Sequence, residues 1–201
     1  MERSPSLADR KRQLVRDELA EAALKLLAWH GFEATTIDQV VAAAGVSRRT
    51  FFRYFASKED VIVQFLADTG AQLCAALAAR PAEEPPAVAL REATSVLVEA
   101  CNEHREKSVR LANLILNTPA LLGRYLEKQA QWRRDVAAEL GRRLGLDPAA
   151  DLRPVLAAGT ALLAFDAALS QWAAGDGTED LAALTDQAFA IVADTLSPRP
   201  R

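Results

Sequence analysis

Between Ser47 and Lys58 the chain reads SRRTFFRYFASK, which sets Arg48, Arg49 and Arg53 among Phe51, Phe52, Tyr54 and Phe55. A guanidinium can donate two parallel hydrogen bonds to guanine O6 and N7, and a threonine or phenylalanine can pack on a thymine methyl. A phenol and an ammonium, here Tyr54 and Lys58, can meet phosphate oxygens, which set register without reading sequence. On a helical wheel Phe51 and Phe55 fall together and point inward, while Arg49, Thr50 and Arg53 fall on the far side. Phe52 and Tyr54 flank the buried face. Arg48 lies nearer the inward side, but in the first turn, where side chains fan out past the helix end. This is the chemistry of nucleic-acid recognition.

Residues suited to catalysis are sparse. The histidines are His30 and His104, and the cysteines Cys74 and Cys101 stand far apart without metal-type spacing. A nucleophile–base pair, a metal cluster or a phosphate cradle would be needed for an enzyme, and none is legible. The adjacent Glu59 and Asp60 sit at a helix start, where capping and dipole roles suffice. We therefore expect no enzyme, no cofactor and no metal, and two core thiols in a reduced, cytoplasmic chain.

Charge is divided along the chain. Residues 1–58 hold ten Lys/Arg against seven Asp/Glu, and the remainder fourteen against twenty. A weakly basic head on an acidic body fits polyanion contact at one end. No apolar leader opens the sequence. The run VLAAGTALLAFDAAL carries Asp166 and falls short of the roughly 18 residues a membrane span wants, so no membrane partner is expected.

The reading helix has to be held by other elements. Alanine and leucine dominate over β-branched and aromatic residues, which favours helices. Apolar residues at 19, 22, 23, 26 and 27 predict a first helix over 9–30, stopped by Gly31. Thr36 and Gln39 form a capping box for a short second helix that ends at Gly45. Ser47 is placed to cap a third by accepting from the Thr50 amide. Ser57 caps a fourth, running to about Arg80. Two short helices joined by a tight Gly turn behind a supporting helix describe a helix-turn-helix, whose second helix enters the major groove by its N-terminal turn. Thr36, opening the preceding helix, can offer its hydroxyl and the helix amides to phosphate. Beyond a Pro-rich loop, further helices are expected at about 87–104, 107–117, 121–144, 150–174 and 179–196, with Asp147-Pro148 read as an N-cap and first turn. The fold class is all-α with about nine helices. A head over residues 9–56 is followed by a larger helical body over residues 57–197.

The stretch GFEATTIDQVVAAAGVSRRTFFRYFASKEDV resembles the N-terminal DNA-binding domain of TetR-family transcriptional regulators over about residues 12–65. The resemblance rests on Thr-Thr-hydrophobic, Ala-x-x-Ala-Gly-Val-Ser and Phe-x-x-Tyr-Phe-x-x-Lys elements. It implies a homodimer that binds a palindromic double-stranded DNA operator, and a divergent C-terminal domain that takes a small-molecule effector. Family DNA contacts carried over by position land on Thr36, Arg48, Arg49, Thr50, Tyr54 and Lys58, with Ser47 as cap and Phe52 at a position often Tyr or Ile. The function expected is a ligand-responsive repressor. An activator of the same family, or a helical protein-binding adaptor, is the alternative.

The body carries no matching motif. Its eighth helix is apolar nearly all round, the mark of a helix buried from more than one side. We expect helices eight and nine to pair with their symmetry mates as a four-helix interface through Leu156, Thr160, Leu163, Ala167, Leu184, Ala188 and Ile191. Polar groups among apolar neighbours mark candidate effector contacts: His104, Asn113, Asn117, Gln129, Trp132 and Asp166. Asp166, a carboxylate within a greasy helix, needs a partner; an arginine across the dimer, a cationic ligand or water would each serve.

Overall fold

The computed structural model describes residues 6–196; position 197, with which the expected body ends, lies outside the described residues. The described residues form nine helices and no strand. They divide into two compact units, one running to Phe65 and one beginning at Leu66, and the division falls inside the fourth helix.

The first unit contains α1 (Leu7–His30), α2 (Ile37–Ala43), α3 (Arg48–Tyr54) and the start of α4 (Lys58–Ala79). The predicted caps form. Thr36 accepts from the Gln39 amide at 3.3 Å while Gln39 Oε1 accepts from the Thr36 amide at 2.8 Å. After α2 the chain must reverse tightly, and Gly45 takes φ +65°, a region most side chains avoid. The Val46 amide can then donate back to Val41 O at 3.0 Å. At the head of α4, Ser57 Oγ accepts from the Asp60 amide at 3.2 Å and Asp60 accepts from the Ala56 amide at 2.9 Å. Leu19, Leu27, Val40, Phe51, Phe55 and Ile62 are fully buried and form this unit's core.

The second unit holds the rest of α4 with α5 (Pro86–Glu103), α6 (Arg105–Asn117), α7 (Pro119–Leu144), α8 (Leu152–Ala174) and α9 (Leu181–Leu196). Helix α8 packs against α5, α6, α7 and α9, which is why its sequence is apolar on nearly every side. By length and composition alone α4 and α8 are long and apolar enough to cross a membrane, more than the shorter run in the sequence suggested. For α8 the four packed neighbours supply a different reason for that composition.

One cap differs from the sequence reading. Asp147 does not open α8; its carboxylate accepts from the Ala149 amide at 2.9 Å and closes a separate turn. Asp151 is the N-cap, accepting from the Arg153 amide at 2.9 Å. The two aspartates stand four residues apart and both can cap. The intervening turn takes the first and leaves the second for the helix.

Candidate nucleic-acid interface

The first turn of α3 is held outward from below. Phe51 is 0 % and Phe55 1 % exposed, with ring centroids 5.6 Å apart, and they seat the helix on the unit's core. Ser47, in extended conformation, accepts from the Thr50 amide at 3.1 Å, and the two hydroxyls pair at 3.0 Å. The opposite side of the helix is left to solvent: Arg48, Arg49, Phe52 and Arg53 are exposed, and Thr50 and Tyr54 are half-buried.

These side chains are not equivalent. Arg49 makes no ion pair among the described residues. Arg48 does: its Nη1 lies 2.9 and 3.0 Å from the two carboxylate oxygens of Asp38, in the first turn of α2. The Arg48 guanidinium carbon also stands 6.0 Å from the Phe52 ring centroid. Arg53, which the wheel puts on the exposed face, lies over the Tyr54 ring at 4.8 Å and donates to its hydroxyl at 3.1 Å.

Two expected phosphate contacts are already engaged within the head. The Thr36 hydroxyl pairs with Gln39 Oε1 at 3.1 Å while accepting from the Gln39 amide. Lys58 Nζ donates to Phe32 O and, at 3.2 Å, to Thr35 O, with the Phe32 ring centroid 4.2 Å away. The lysine therefore ties the head of α4 to the α1–α2 loop, and an ammonium with three donors has one left over. Spacing in sequence could not disclose this, because the partners lie 26 and 23 residues away. Asp38 was missed for a related reason: it lies ten residues before Arg48, and only the packing of α2 on α3 brings them together.

In the second unit the expected effector contacts do not converge. His104 is exposed at the break between α5 and α6. Asn113 donates to Ala173 O at 2.9 Å and so ties α6 to α8, while Asn117 donates to Asn113 O at 2.9 Å within the last turn of α6 itself. Trp132 is buried core, its indole N–H donating to Leu66 O at 3.1 Å. Gln129 and Asp166 do meet: both Gln129 Nε2, at 2.9 Å, and the Tyr125 hydroxyl, at 2.8 Å, donate to Asp166 Oδ1. They border an open groove of about 570 Å³ between α7 and α8, which Leu126, Arg133, Leu156, Thr160 and Leu163 also line. Residues read separately as effector contacts and as dimer contacts thus share one surface. Leu156, Leu163 and Ile191 are 63, 65 and 55 % exposed. Ala167 is exposed, and Thr160 and Ala188 are half-buried. Leu184 departs from this set. At 7 % exposure it is part of the monomer's core, because the stripe of α9 that carries it also has to cover α8 and α5.

The chain resembles known proteins over both units. Residues 19–65 match the family model for bacterial regulatory proteins of the tetR family, and residues 84–197 match the model for the MftR C-terminal domain. The chain belongs to the TetR family. It is 34 % identical over 156 residues to the HTH-type transcriptional regulator TcmR of Streptomyces glaucescens, covering 75 % of this chain and 69 % of that one. It is 28 % identical over 174 residues to the HTH-type transcriptional repressor AcnR of Corynebacterium glutamicum, covering 85 and 88 %. Its fold matches that of the transcriptional regulator FadR from Bacillus subtilis, solved in complex with stearoyl-CoA, with a TM-score of 0.69 at 19 % identity over 90 % of this chain and 99 % of that one. This TetR-family chain is a DNA-binding transcriptional regulator, and its relatives are regulators rather than enzymes.

Proposed function

We propose that the chain is a cytoplasmic, ligand-responsive repressor that binds a palindromic operator as a homodimer, each protomer placing α3 in a major groove. The observation that carries this reading is the cationic first turn of α3, exposed to solvent above the buried Phe51 and Phe55. In a helix-turn-helix that turn is the part with reach to base edges. Arg48, Arg49 and Thr50 take the base-reading positions. Ser47 caps the turn, and Phe52 and Tyr54 stand at the groove wall. Lys58 brings its third N–H to phosphate while holding the loop with the other two. For Thr36 to meet phosphate, its hydroxyl proton must turn from Gln39.

The partner protomer covers the α8–α9 face, where Leu156, Leu163 and Ile191 lie open to water. Exposed apolar side chains grouped on one face mark an association surface. A small-molecule effector binds the second unit and acts through its differential affinity for two conformers that space the recognition helices differently. Moving a 99:1 population to 1:99 takes on the order of 5.5 kcal/mol.

Footprinting on DNA flanking the chain's own gene, followed by mobility shifts with candidate metabolites, tests the whole reading. We expect protection of two half-sites about one helical turn apart, roughly 34–36 Å, and release by one metabolite class. An affinity that stays put when Arg48 and Arg49 are both replaced by alanine would favour the adaptor reading instead. A promoter whose output falls when the gene is deleted would make the protein an activator.

A further inference from the structure

The ion pair between Asp38 and Arg48 has no evident stabilising purpose. Its side chains are 68 and 59 % exposed, and exposed pairs contribute little to folding. Its place is also costly, since a carboxylate beside the DNA-facing turn of α3 repels phosphate. The geometry suggests what offsets that cost. Both Asp38 oxygens take hydrogen bonds from a single guanidinium nitrogen, Nη1. An arginine carries five N–H donors in a rigid planar fork. With Nη1 held by α2, the Nε–H and Nη2–H edge remains as a two-pronged donor, the shape that matches guanine O6 and N7. Phe52 stands beside the same guanidinium, 6.0 Å from its carbon.

We propose that Asp38 is a specificity-determining positioning residue: it clamps Arg48 by Nη1 so that the opposite edge of the guanidinium reads a guanine, while Arg49 is left without a clamp. The inference rests on α3 entering the groove. A free arginine slides onto any nearby phosphate and adds affinity for all sequences alike. The carboxylate withdraws Arg48 from that use, lowering non-specific affinity and keeping the side chain oriented for one base pair. Asp38 itself acts through Arg48 and touches no base.

The test uses the full chain, a duplex operator selected by the wild-type protein from random sequence, and a scrambled duplex of equal composition. Affinities are measured by fluorescence anisotropy over a salt series. Arg48→Ala should relax selection at one G·C pair by roughly 5- to 150-fold, the discrimination of a bidentate contact. Asp38→Asn should relax selection at that same pair by about fivefold or more, within the same range. It should also tighten binding to the scrambled duplex and steepen its log K against log salt slope by about 0.9, one further phosphate neutralised. Asp38→Glu, which keeps the carboxylate, should restore most of the selectivity. Arg49→Ala should act at a different position. Circular dichroism melts accompany each variant; if Asp38→Asn melts early, Asp38→Glu paired with Arg48→Lys reads the same coupling, because lysine has no fork to orient. A carboxylate that matters only to helix α2 would shift the melt and leave the selectivity ratio alone, and that result would overturn the proposal. So would an Asp38→Asn protein that gains equally on both duplexes. A wild-type protein that selects no duplex would sink the operator-binding reading itself, a different outcome from a selective wild type matched by an equally selective variant.

Discussion

Tyr125 is buried, and its hydroxyl donates to Asp166 at 2.8 Å. Burial and the neighbouring carboxylate hold the phenol well above its ordinary range, so it remains a donor at any working pH. A half-buried carboxylate within an apolar helix is thus paired inside its own chain, with Gln129 as second donor. Tyr125→Phe should cost about 1.5–3 kcal/mol, since it removes a hydrogen bond to a charged group, read as a lower urea midpoint at unchanged slope. Cys101 behaves differently. Burial pushes its thiol from the ordinary 9.0 up to about 11. A folded-state value raised in this way favours the neutral thiol, so the stability it confers is fully present below pH 9 and is lost as pH climbs toward 11. The shift corresponds to about 3 kcal/mol. Melts of the wild type should therefore show a fall in stability over that window that is smaller in Cys101→Ala, the remainder coming from Tyr125 and Cys74, which burial raises in the same direction.

At the scale of the element, α4 and α7 show how one small residue sets a helix contact. A Cβ added at Gly70 of α4 would come within 2.1 Å of the Trp132 indole. The indole N–H donates to Leu66 O one turn earlier on the same helix. In an open helix, glycine to alanine gains up to about 1 kcal/mol; here the clash reverses the sign. Gly70→Ala should destabilise the second unit by roughly 1–3 kcal/mol, the range for overpacking, seen as a lower melting midpoint with altered tryptophan emission. The elements themselves were largely legible in the sequence, because capping and periodicity are local. Thr36 with Gln39, Ser47 with Thr50 and Ser57 with Asp60 all lie three residues apart, and each pair forms. Asp147 and Asp151 show where that logic stops. Two residues can each cap, and the turn between them decides which one opens α8.

At the scale of the molecule, the proposed dimer gives the sharpest prediction. Leu163→Glu places a charge on an exposed apolar face and leaves the monomer's core alone. It should shift the protein from dimer to monomer in sedimentation velocity, and operator affinity should fall at least tenfold because two half-sites no longer share one ligand. Leu184→Glu makes the contrast: it buries a charge in the core and should unfold the protein rather than divide it. Operator affinity of the wild type should also fall steeply with salt, by about 0.9 in log K per log salt for each phosphate engaged.

The sequence by itself determined the caps of α2, α3 and α4, which rings point inward on α3, and that its first turn presents arginines. Those properties follow from hydrogen bonds and helical spacing within a few residues. Tertiary structure decided how the cations are used. Lys58 reaches carbonyls 26 and 23 residues back, Arg48 is met by Asp38 from the neighbouring helix, and Asp166 finds a tyrosine 41 residues away. A charged group's role depends on what stands within a few ångströms of it. In a helical protein those neighbours come from other helices, at sequence separations that no local pattern encodes.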